Sequence, residues 1–340
     1  MIRPVRRNPL SSRQFSADPN RYARMIYRQC GVSGLKLPAI SLGAWETFGG
    51  YRGPEVARDC IFGAFNLGIT HFDLANNYGR PPGRAEMVVG QIVSEMPRDE
   101  LIVSTKAGFS MWPGPYGQGC SRKSLLASID ESLQRLGLDY VDIFYAHRMD
   151  PETPLEETLS ALDQIVRAGK ALYVGLSNYS AKMLEEAVAL TGKLRLAPII
   201  VEQSSYSLLN RRIEPELLPS ARRLGAGVVA FSPLAQGLLS EKYLKGIPDD
   251  SRVGRTWTPE QRAIVGPAVM QKTARLNEIA KRRGQTLPQM AIAWILRRPE
   301  ITSVLTGASD VGQVQENVRA LEKLQFSDEE LNAIDKLCAG

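Results

Sequence analysis

Four ionisable side chains of complementary chemistry stand at or just beyond the ends of three short apolar segments. Asp73 is near the end of the first segment, and Tyr78 follows it five residues later. Lys106 and His147 end the next two segments. If the segments are neighbouring parallel strands, all four side chains lie on one rim of the sheet, where barrel enzymes keep their active sites. We expect Asp73 to pair with Lys106, because an ammonium in a barrel mouth needs an opposite charge.

The same four groups predict a definite kind of chemistry. The Lys106 ammonium beside Tyr78 favours the phenolate, and we expect it to lower the tyrosine pKa from its usual value of about 10. A tyrosine tuned in this way can donate its proton to a carbonyl oxygen. His147 can hydrogen-bond to that oxygen and orient the carbonyl. The residues therefore predict an acid–base site that reduces an aldehyde or ketone, with hydride supplied by a cofactor.

Simpler interpretations exist for each residue taken alone. Asp73 and Lys106 could form a structural ion pair, and Tyr78 could be a turn tyrosine. Lys106 could also form a Schiff base in an isomerase or aldolase, but this would leave Tyr78 unexplained. The joint occurrence on one rim favours the reductive site. His71, two residues before Asp73 on the same strand face, is predicted to be a barrel-interior residue and not a catalyst.

The elements that must position these residues alternate regularly along the chain. Short apolar segments recur about every thirty residues, with one amphipathic segment between most neighbours, which indicates a parallel sheet covered by helices. Eight such units predict an α/β fold, a closed (β/α)8 TIM barrel. The segment Gly225–Ala230 precedes a strand, so it does not fit a dinucleotide-binding Rossmann fingerprint. The segments are 40–42, 71–74, 101–104, 141–144, 172–175, 199–201, 228–231 and 303–305.

Capping patterns predict where several helices begin. Thr153 and Pro154 indicate a capping box with proline in the first turn, and Ser121 and Ser309 precede two further helices. Residues 26–38 predict a hairpin, with its turn at 32–34, that closes the barrel floor. About seventy residues separate the last two strands, which predicts a long loop over 232–259 and an additional helix near 287–297.

Composition and charge exclude other classes. The chain has 340 residues, of which 44% are hydrophobic and 23% charged, and it has no run of about 18 or more apolar residues. Four of the six net positive charges lie in residues 1–14, so the remainder is not the basic surface of a nucleic-acid-binding protein. We expect a basic, disordered leader over 1–24, with a targeting peptide as the alternative, and one barrel domain over 25–340. The four scattered cysteines indicate reduced thiols and a cytoplasmic protein.

Several of these segments resemble motifs of a known family. The run from Gly68 to Gly79 is similar to the signature of the aldo-keto reductases, and the resemblance extends over about residues 25–338. Within that family, the loop 111–117 resembles the group of bacterial L-glyceraldehyde 3-phosphate reductases and voltage-gated potassium channel beta subunits. The supporting motifs are Ser104-Thr105-Lys106, Ala146-His147-Arg148, Gly175-Leu176-Ser177-Asn178 and Phe231-Ser232-Pro233-Leu234.

The resemblance implies an NADPH-dependent reductase, with Asp73, Tyr78, Lys106 and His147 as its catalytic tetrad and a homo-oligomeric state. It places Trp45 near the nicotinamide and implies a clasp over the pyrophosphate, in a loop that is a few residues shorter here near 252–259. Lys242 and Arg252, with Ser309 and Gln313, predict a preference for NADPH over NADH. The full implied cofactor set is Trp45, Asp73, Ser177, Asn178, Gln203, Ser232, Pro233, Leu234, Gln236, Gly237, Lys242, Arg252, Gly307, Ser309, Gln313, Glu316 and Asn317.

The predicted substrate is a small, phosphorylated aldehyde such as L-glyceraldehyde 3-phosphate, or one like methylglyoxal. Arg148 beside the catalytic histidine suits a phosphate, because a guanidinium can bond two oxygens at once. The alternative is that Arg148 pairs with Asp150. The predicted substrate-binding residues are Trp45, Tyr78, Trp112, Tyr116, His147 and Arg148. A regulatory binding subunit of the channel type remains the alternative function, and the histidine at 147 argues against it.

Overall fold

Eight parallel strands close into a barrel in the computed structural model, which describes residues 15–244, 247–249, 251–258, 262 and 265–338. The order around the barrel is β10-β3-β4-β5-β6-β7-β8-β9, as the apolar segments predicted. The barrel strands are β3 (Ile40–Gly43), β4 (His71–Asp73), β5 (Ile102–Ala107), β6 (Val141–Ala146), β7 (Ala171–Ser177), β8 (Ile199–Ser205), β9 (Gly227–Phe231) and β10 (Ile301–Thr306).

Helices surround the barrel and shield the strands from water on their outer side. They are α1 (Pro54–Asn66), α2 (Arg84–Val93), α3 (Arg122–Leu136), α4 (Leu155–Arg167), α5 (Ala181–Leu194), α6 (Leu217–Leu224), α7 (Arg252–Thr256), α8 (Pro267–Arg282), α9 (Leu287–Leu296), α10 (Val311–Val318) and α11 (Asp328–Cys338). No helix in the described ranges is long and apolar enough to cross a membrane.

An antiparallel hairpin of β1 (Tyr27–Gln29) and β2 (Lys36–Pro38) closes the barrel floor, as predicted. The Arg28 guanidinium donates to the carbonyl oxygens of Leu296 and Ile301, at 2.8 Å each. Gly31 has a φ of +57°, and a Cβ there would lie 2.0 Å from the carbonyl oxygen of Gly225. Only glycine allows this approach, so the hairpin is fixed against the floor.

Helix caps agree with the sequence in one place and differ in two. The Ser121 hydroxyl accepts from the Ser124 amide at the start of α3, as predicted. The predicted capping box at Thr153 is wrong, because this hydroxyl donates to Asp150 and α4 begins without a side-chain cap. The predicted cap at Ser309 is also wrong, since Asp310 accepts from the Gln313 amide and starts α10.

Residues 15–24 contact the barrel, unlike the disordered leader that their polarity predicts. Phe15 stacks on Phe62 of α1 with ring centroids 4.2 Å apart, and Arg21 forms an ion pair with Glu100. Phe15 also lies 5.9 Å from Phe65, and the Asp18 amide donates to the Asn66 side chain, so the segment folds back onto α1. The basic residues 1–14 lie outside the described part of the chain.

The long connection after β9 contains more structure than the sequence predicts. The additional helix expected near 287–297 is present as α9, but α8 before it was not expected. The loop itself contains two short 3-10 turns, Ala235–Gly237 and Glu241–Tyr243, followed by α7. Leu238, Tyr243, Val253 and Val265 pack together beneath it, so the loop has a small apolar core of its own.

Candidate active site

A buried ion pair joins the ends of β4 and β5. The Lys106 ammonium donates to Oδ2 of Asp73 and to the carbonyl oxygen of Leu74, each at 2.5 Å. Asp73 pairs with Ser104 in the parallel register, so Lys106 lies two residues further along β5, towards the rim. Burial by itself lowers the pKa of Lys106, but Asp73 and the Tyr78 hydroxyl together raise it above its usual value. The lysine is therefore a fixed cation.

Tyr78 lies in the loop after β4, against that cation. Its ring centroid is 5.1 Å from the Lys106 nitrogen and 5.9 Å from the centre of the His147 ring. Burial raises the Tyr78 pKa, and the opposing effect of Lys106 is smaller, so the net shift is upward. The predicted fall of this pKa is wrong, because the cost of burying a phenolate exceeds the attraction of the lysine. The phenol keeps its proton and can donate it.

His147 follows β6 and completes the group of four. Its ring lies edge-on to Phe109, with centroids 4.6 Å apart. Burial, followed by Lys106 and Arg148, lowers the His147 pKa well below its usual value, so the imidazole is neutral. Its Nδ1 atom is buried and has no hydrogen-bond partner among the described residues. A neutral ring with a free nitrogen at this position can hydrogen-bond to a ligand.

The ends of β7 and β8 supply amide and hydroxyl groups beside the ion pair. Gln203 donates to Oδ1 of Asp73 at 3.1 Å, and its carbonyl oxygen accepts from the Ser177 hydroxyl at 3.0 Å. Asn178 has a left-handed backbone, with a φ of 63°, and donates to the carbonyl oxygen of His147. The three residues expected to bind a carboxamide are therefore brought together next to the tetrad.

Sequence reasoning missed Glu202, which is fully buried beside Gln203. Its Oε1 accepts from the Tyr179 amide and the Ser204 hydroxyl, and burial raises its pKa well above the usual value. A signal was available, because a glutamate directly follows the apolar run 199–201 at the end of a strand. This carboxyl group supports the loop that carries Asn178.

The loop after β9 contains several residues with a left-handed backbone. Ser232, Ala235 and Gln236 have φ values of 55°, 46° and 61°, and Gly237 has 101°. The amides of Ala235 and Gly237 donate within the turn, to the carbonyl oxygens of Ser232 and Leu234. Pro233 and Leu234 lie within this turn, and Lys242 is exposed in the following one. The side chain of Arg252 lies outside what the structure describes.

The residues predicted at the adenosine end lie directly after β10 and on α10. Gln313 and Ser309 hydrogen-bond to each other, with the Gln313 amide 2.8 Å from the serine hydroxyl. Glu316 accepts from the Thr286 hydroxyl at 2.7 Å and so also joins α9 to α10. Gly307 is exposed and Asn317 is buried.

Among the predicted substrate-binding residues, Trp45 and Arg148 lie near the tetrad, whereas Trp112 and Tyr116 belong to the loop after β5. Trp45 is 45% exposed, and its ring centroid lies 6.4 Å from that of Tyr78, so it is part of the same opening. Arg148 packs over Phe109, and its Nε donates to the carbonyl oxygen of Gly108. Asp150, the alternative partner expected for Arg148, accepts from the amides of Cys120 and Glu152 and from the Thr153 hydroxyl.

Trp112 and Tyr116 lie in the loop between β5 and α3. Tyr116 is exposed, and the Lys123 ammonium lies 5.0 Å from its ring centroid. Gly117 packs directly on the Trp112 backbone, where a Cβ would lie 1.8 Å from the carbonyl oxygen. The contact with Lys123 joins the loop to the first turn of α3.

His71 lies inside the barrel, as predicted. It is fully buried between the hydroxyls of Ser41 and Ser104, each 2.9 Å from a ring nitrogen. Burial lowers its pKa to about 4. Within the described ranges, the acidic, histidine and cysteine side chains form no group of three or more that could hold a metal ion.

A closed (β/α)8 barrel with an acid–base cluster on its carboxyl-end rim has the architecture of a barrel enzyme, and comparison with known proteins identifies the family. The aldo/keto reductase family model matches residues 39–339, and the chain belongs to this family. The L-glyceraldehyde 3-phosphate reductases of Escherichia coli O157:H7 and strain K12 are 52% identical to it over 330 residues, or 94% of each chain. A probable voltage-gated potassium channel subunit beta of Arabidopsis thaliana is 40% identical over 304 residues, which cover 88% of this chain and 92% of the relative.

Members of this family generally use a reduced nicotinamide dinucleotide, and the rim fits such a group. Nδ1 of His147 is a buried polar atom without a partner among the described residues, next to Tyr78. The left-handed turn from Ser232 to Gly237 belongs to a segment in which the family motifs imply cofactor contacts.

Proposed function

We propose that this enzyme uses NADPH to reduce a small aldehyde to the corresponding alcohol, with Tyr78 as the general acid. The proposed substrate is a phosphorylated triose such as L-glyceraldehyde 3-phosphate, or a short aldehyde like methylglyoxal. The observation that carries the proposal is the packing of Tyr78 between a fixed lysine cation and a neutral histidine. Its similarity to reductases named for that triose phosphate supports the substrate.

Each member of the tetrad has a separate task in this proposal. The Tyr78 hydroxyl, kept protonated by its raised pKa, donates to the substrate's carbonyl oxygen. His147 donates one ring N–H to the same oxygen and so orients the carbonyl. The Lys106 ammonium stabilises the phenolate that remains on Tyr78, and Asp73 fixes the lysine. When bound, the reduced nicotinamide supplies the hydride.

The residues proposed to hold the cofactor follow the rim from β3 to α10. Trp45 and Asp73 lie at the reacting end, with Ser177, Asn178 and Gln203 at the carboxamide. Ser232, Pro233, Leu234, Gln236 and Gly237 surround the pyrophosphate, and Lys242 and Arg252 extend over it to the 2′-phosphate. Gly307, Ser309, Gln313, Glu316 and Asn317 hold the adenosine. Cations and donors at this end favour NADPH over NADH.

We further propose that residues 25–340 form one catalytic domain, working as a homo-oligomer in the cytoplasm. The proposed partners are small aldehydes, with no role for nucleic acid or membrane. The described cysteines are free thiols, and three of them are buried, which supports a reducing compartment.

A steady-state assay of NADPH oxidation tests the function directly. The panel contains L-glyceraldehyde 3-phosphate, plain glyceraldehyde, methylglyoxal and a bulky aromatic aldehyde. We expect the highest kcat/KM for the phosphorylated triose. Reduction of that substrate no better than the aromatic aldehyde would reject the substrate assignment.

The second candidate is a regulatory, redox-sensing subunit, favoured by the 40% identity to a probable channel beta subunit. This function predicts tight NADPH binding with almost no turnover of any aldehyde in the panel. Single-turnover kinetics with excess enzyme distinguish the two candidates, because a sensor would oxidise its bound cofactor slowly with every aldehyde.

A further inference from the structure

Beside Tyr78 the rim opens into a cleft of about 480 Å³ that the catalytic groups do not use. Its walls come from three separate segments of the chain. Trp45 and Tyr51 follow β3, Asn77 and Arg80 follow β4, and Arg255 belongs to α7. The cleft is therefore open to a substrate whose carbonyl lies at Tyr78, and it is large enough for a triose phosphate.

The chemistry of this cleft suits an anion with hydroxyl groups. Arg80 and Arg255 line it together with a single carboxylate, that of Glu46, which leaves a net positive charge. The guanidinium carbon of Arg255 lies 3.6 Å from the centroid of the Tyr51 ring, which holds this cation at the wall of the cleft. The amide oxygen of Asn77 is buried without a hydrogen-bond partner among the described residues, and it can accept from a substrate hydroxyl.

The arginine expected from the sequence is placed less well for this task. The Arg148 guanidinium lies 4.7 Å from the centre of the Phe109 ring, and its Nε already donates to a backbone carbonyl at 3.1 Å. We propose that Arg80 and Arg255 bind the phosphate of the substrate, while Asn77 accepts from a hydroxyl of its carbon chain. This inference rests on the proposed reduction of a phosphorylated triose.

The test compares Arg80→Met and Arg255→Met with Arg52→Met. Arg52 is a matched control, because it also lies against Tyr51, at 5.3 Å, but is not among the cleft-lining residues. We expect each cleft variant to raise KM for L-glyceraldehyde 3-phosphate about tenfold or more. KM for plain glyceraldehyde and for NADPH should stay at the wild-type value, as should all constants of the control.

Glycerol 3-phosphate gives a second measurement, since it should inhibit the wild type competitively with the aldehyde and the cleft variants much more weakly. Equal losses for phosphorylated and plain aldehydes, or a rise in KM for NADPH alone, would overturn the assignment of the cleft. Failure of the proposed function is distinguishable, because the wild-type enzyme would then reduce no aldehyde in the panel.

A different observation carries a second inference, independent of the cleft. A chain of hydrogen bonds runs through the barrel interior from Asp73 towards the floor. The Ser104 hydroxyl donates to Oδ1 of Asp73 at 2.6 Å and lies 2.9 Å from Nε2 of His71. Nδ1 of His71 lies 2.9 Å from the Ser41 hydroxyl, which in turn lies 2.6 Å from that of Ser303. All of these side chains are buried.

The proton inventory sets the direction of this chain. The single hydroxyl proton of Ser104 goes to the carboxylate, so its oxygen must accept from His71. His71 therefore has its proton on Nε2, and Nδ1 accepts from Ser41. This neutral form agrees with the pKa of about 4 that burial gives the ring.

We infer that His71 and Ser104 are positioning residues for the catalytic pair. They keep the shorter of two donors on Oδ1 of Asp73, the other being Gln203, and this leaves Oδ2 for Lys106 and fixes the lysine beside Tyr78. This inference rests on the proposed roles of Lys106 and Tyr78. Loss of the chain loosens the lysine, which then stabilises the Tyr78 phenolate less.

Ser104→Ala, Ser104→Thr and Ser303→Ala test the inference. We expect Ser104→Ala to lower kcat about tenfold, to leave KM for NADPH unchanged and to move the alkaline limb of the kcat–pH profile to higher pH. Threonine keeps the hydroxyl and should restore both. Ser303→Ala removes a buried hydroxyl beyond His71 and should change stability but not the pH profile.

An unchanged kcat and pH profile in folded Ser104→Ala, or identical shifts in Ser303→Ala, would overturn the positioning role. His71→Gln, which retains a donor, and His71→Leu extend the comparison, with glutamine expected to keep more of kcat. If Tyr78→Phe were itself fully active, the proposed function would fail instead.

Discussion

The two sides of the active-site rim are built in different ways. On the β4–β6 side, Asp73, Lys106 and His147 stand on or directly after strands and are almost completely buried. On the β9–β10 side, Gln236 and Lys242 lie in turns and are exposed. Proton transfer requires precise distances, which strands provide, whereas a long ligand needs a surface that can close over it. The difference indicates that the barrel fixes the chemistry and the loops recognise the ligand.

The strand side also carries an energetic cost that the loop side avoids. Desolvating Lys106 and Asp73 offsets most of the attraction between them, so the pair adds little to stability. The Tyr78 ring lies against this pair, with its centroid 5.1 Å from the Lys106 nitrogen. We therefore expect the pair to be retained for the reaction and not for stability, and the first two predictions test this expectation.

The largest effect is expected from Tyr78→Phe, which keeps the ring and removes the hydroxyl. Loss of general acid catalysis should lower kcat by roughly 10²–10⁴-fold, with NADPH affinity almost unchanged. Tyr145→Phe is the matched control, because its ring lies 5.8 Å from the same ammonium but inside the barrel. Near-normal turnover of Tyr78→Phe, or an equal loss in both variants, would contradict the mechanism.

The next effect separates catalysis from stability at the ion pair. Lys106→Met leaves the Asp73 charge buried and unpaired, which should cost about 3–5 kcal/mol of unfolding free energy as well as activity. The double variant Asp73→Asn with Lys106→Met should recover most of the stability but none of the activity. Urea unfolding and NADPH oxidation measure the two quantities. Recovery of activity in the double variant would show that the pair is only structural.

The sequence predicted the strand side better than the loop side, and the reason is physical. Apolar segments such as 141–144 and the polar residues that end them are local patterns, so the barrel and the grouping of the tetrad could be predicted. The cap at Thr153 failed because its hydroxyl donates to Asp150, and the cap at Ser309 failed because the adjacent Asp310 accepts from the Gln313 amide.

The direction of the Tyr78 pKa shift could not be derived from sequence. It depends on how completely the folded loops exclude water, which no local pattern records. Helix α8 was missed for a related reason. It lies within the connection 232–302, where the excess length alone does not show how many helices the chain forms.

On the loop side, the expected effect is on cofactor choice. One charge-assisted contact is worth about 1.5–3 kcal/mol, so Lys242 and Arg252 together should give NADPH a preference on the order of a hundredfold over NADH. Arg252→Ala should reduce the kcat/KM preference about tenfold, with kcat for NADPH little changed. Lys193→Ala, an exposed cation at the last turn of α5, is the control. An unchanged preference in Arg252→Ala would show that this loop does not bind the 2′-phosphate.

The smallest effect is expected at Glu202, which lies on β8 between the two sides. Its pKa is raised by burial, so the folded state binds the proton more tightly than the unfolded chain does. The stabilisation from this proton is complete below the unfolded pKa of about 4.3, and it is lost as the pH rises towards the folded value. Glu202→Gln keeps an acceptor for the Tyr179 amide and carries no charge at any pH.

The variant and the wild type should therefore be equally stable near the unfolded pKa and should separate above it. The variant should gain up to about 1.4 kcal/mol for each pH unit until the folded pKa is reached. Urea unfolding midpoints over a pH series measure this difference, in which the other titrating groups cancel. A constant loss of stability at every pH would mean that Glu202 is ionised in the folded protein. The substitution retains the support for Asn178, so it should change kcat less than Tyr78→Phe or Lys106→Met does. Such a result would limit the catalytic cluster to β4–β6.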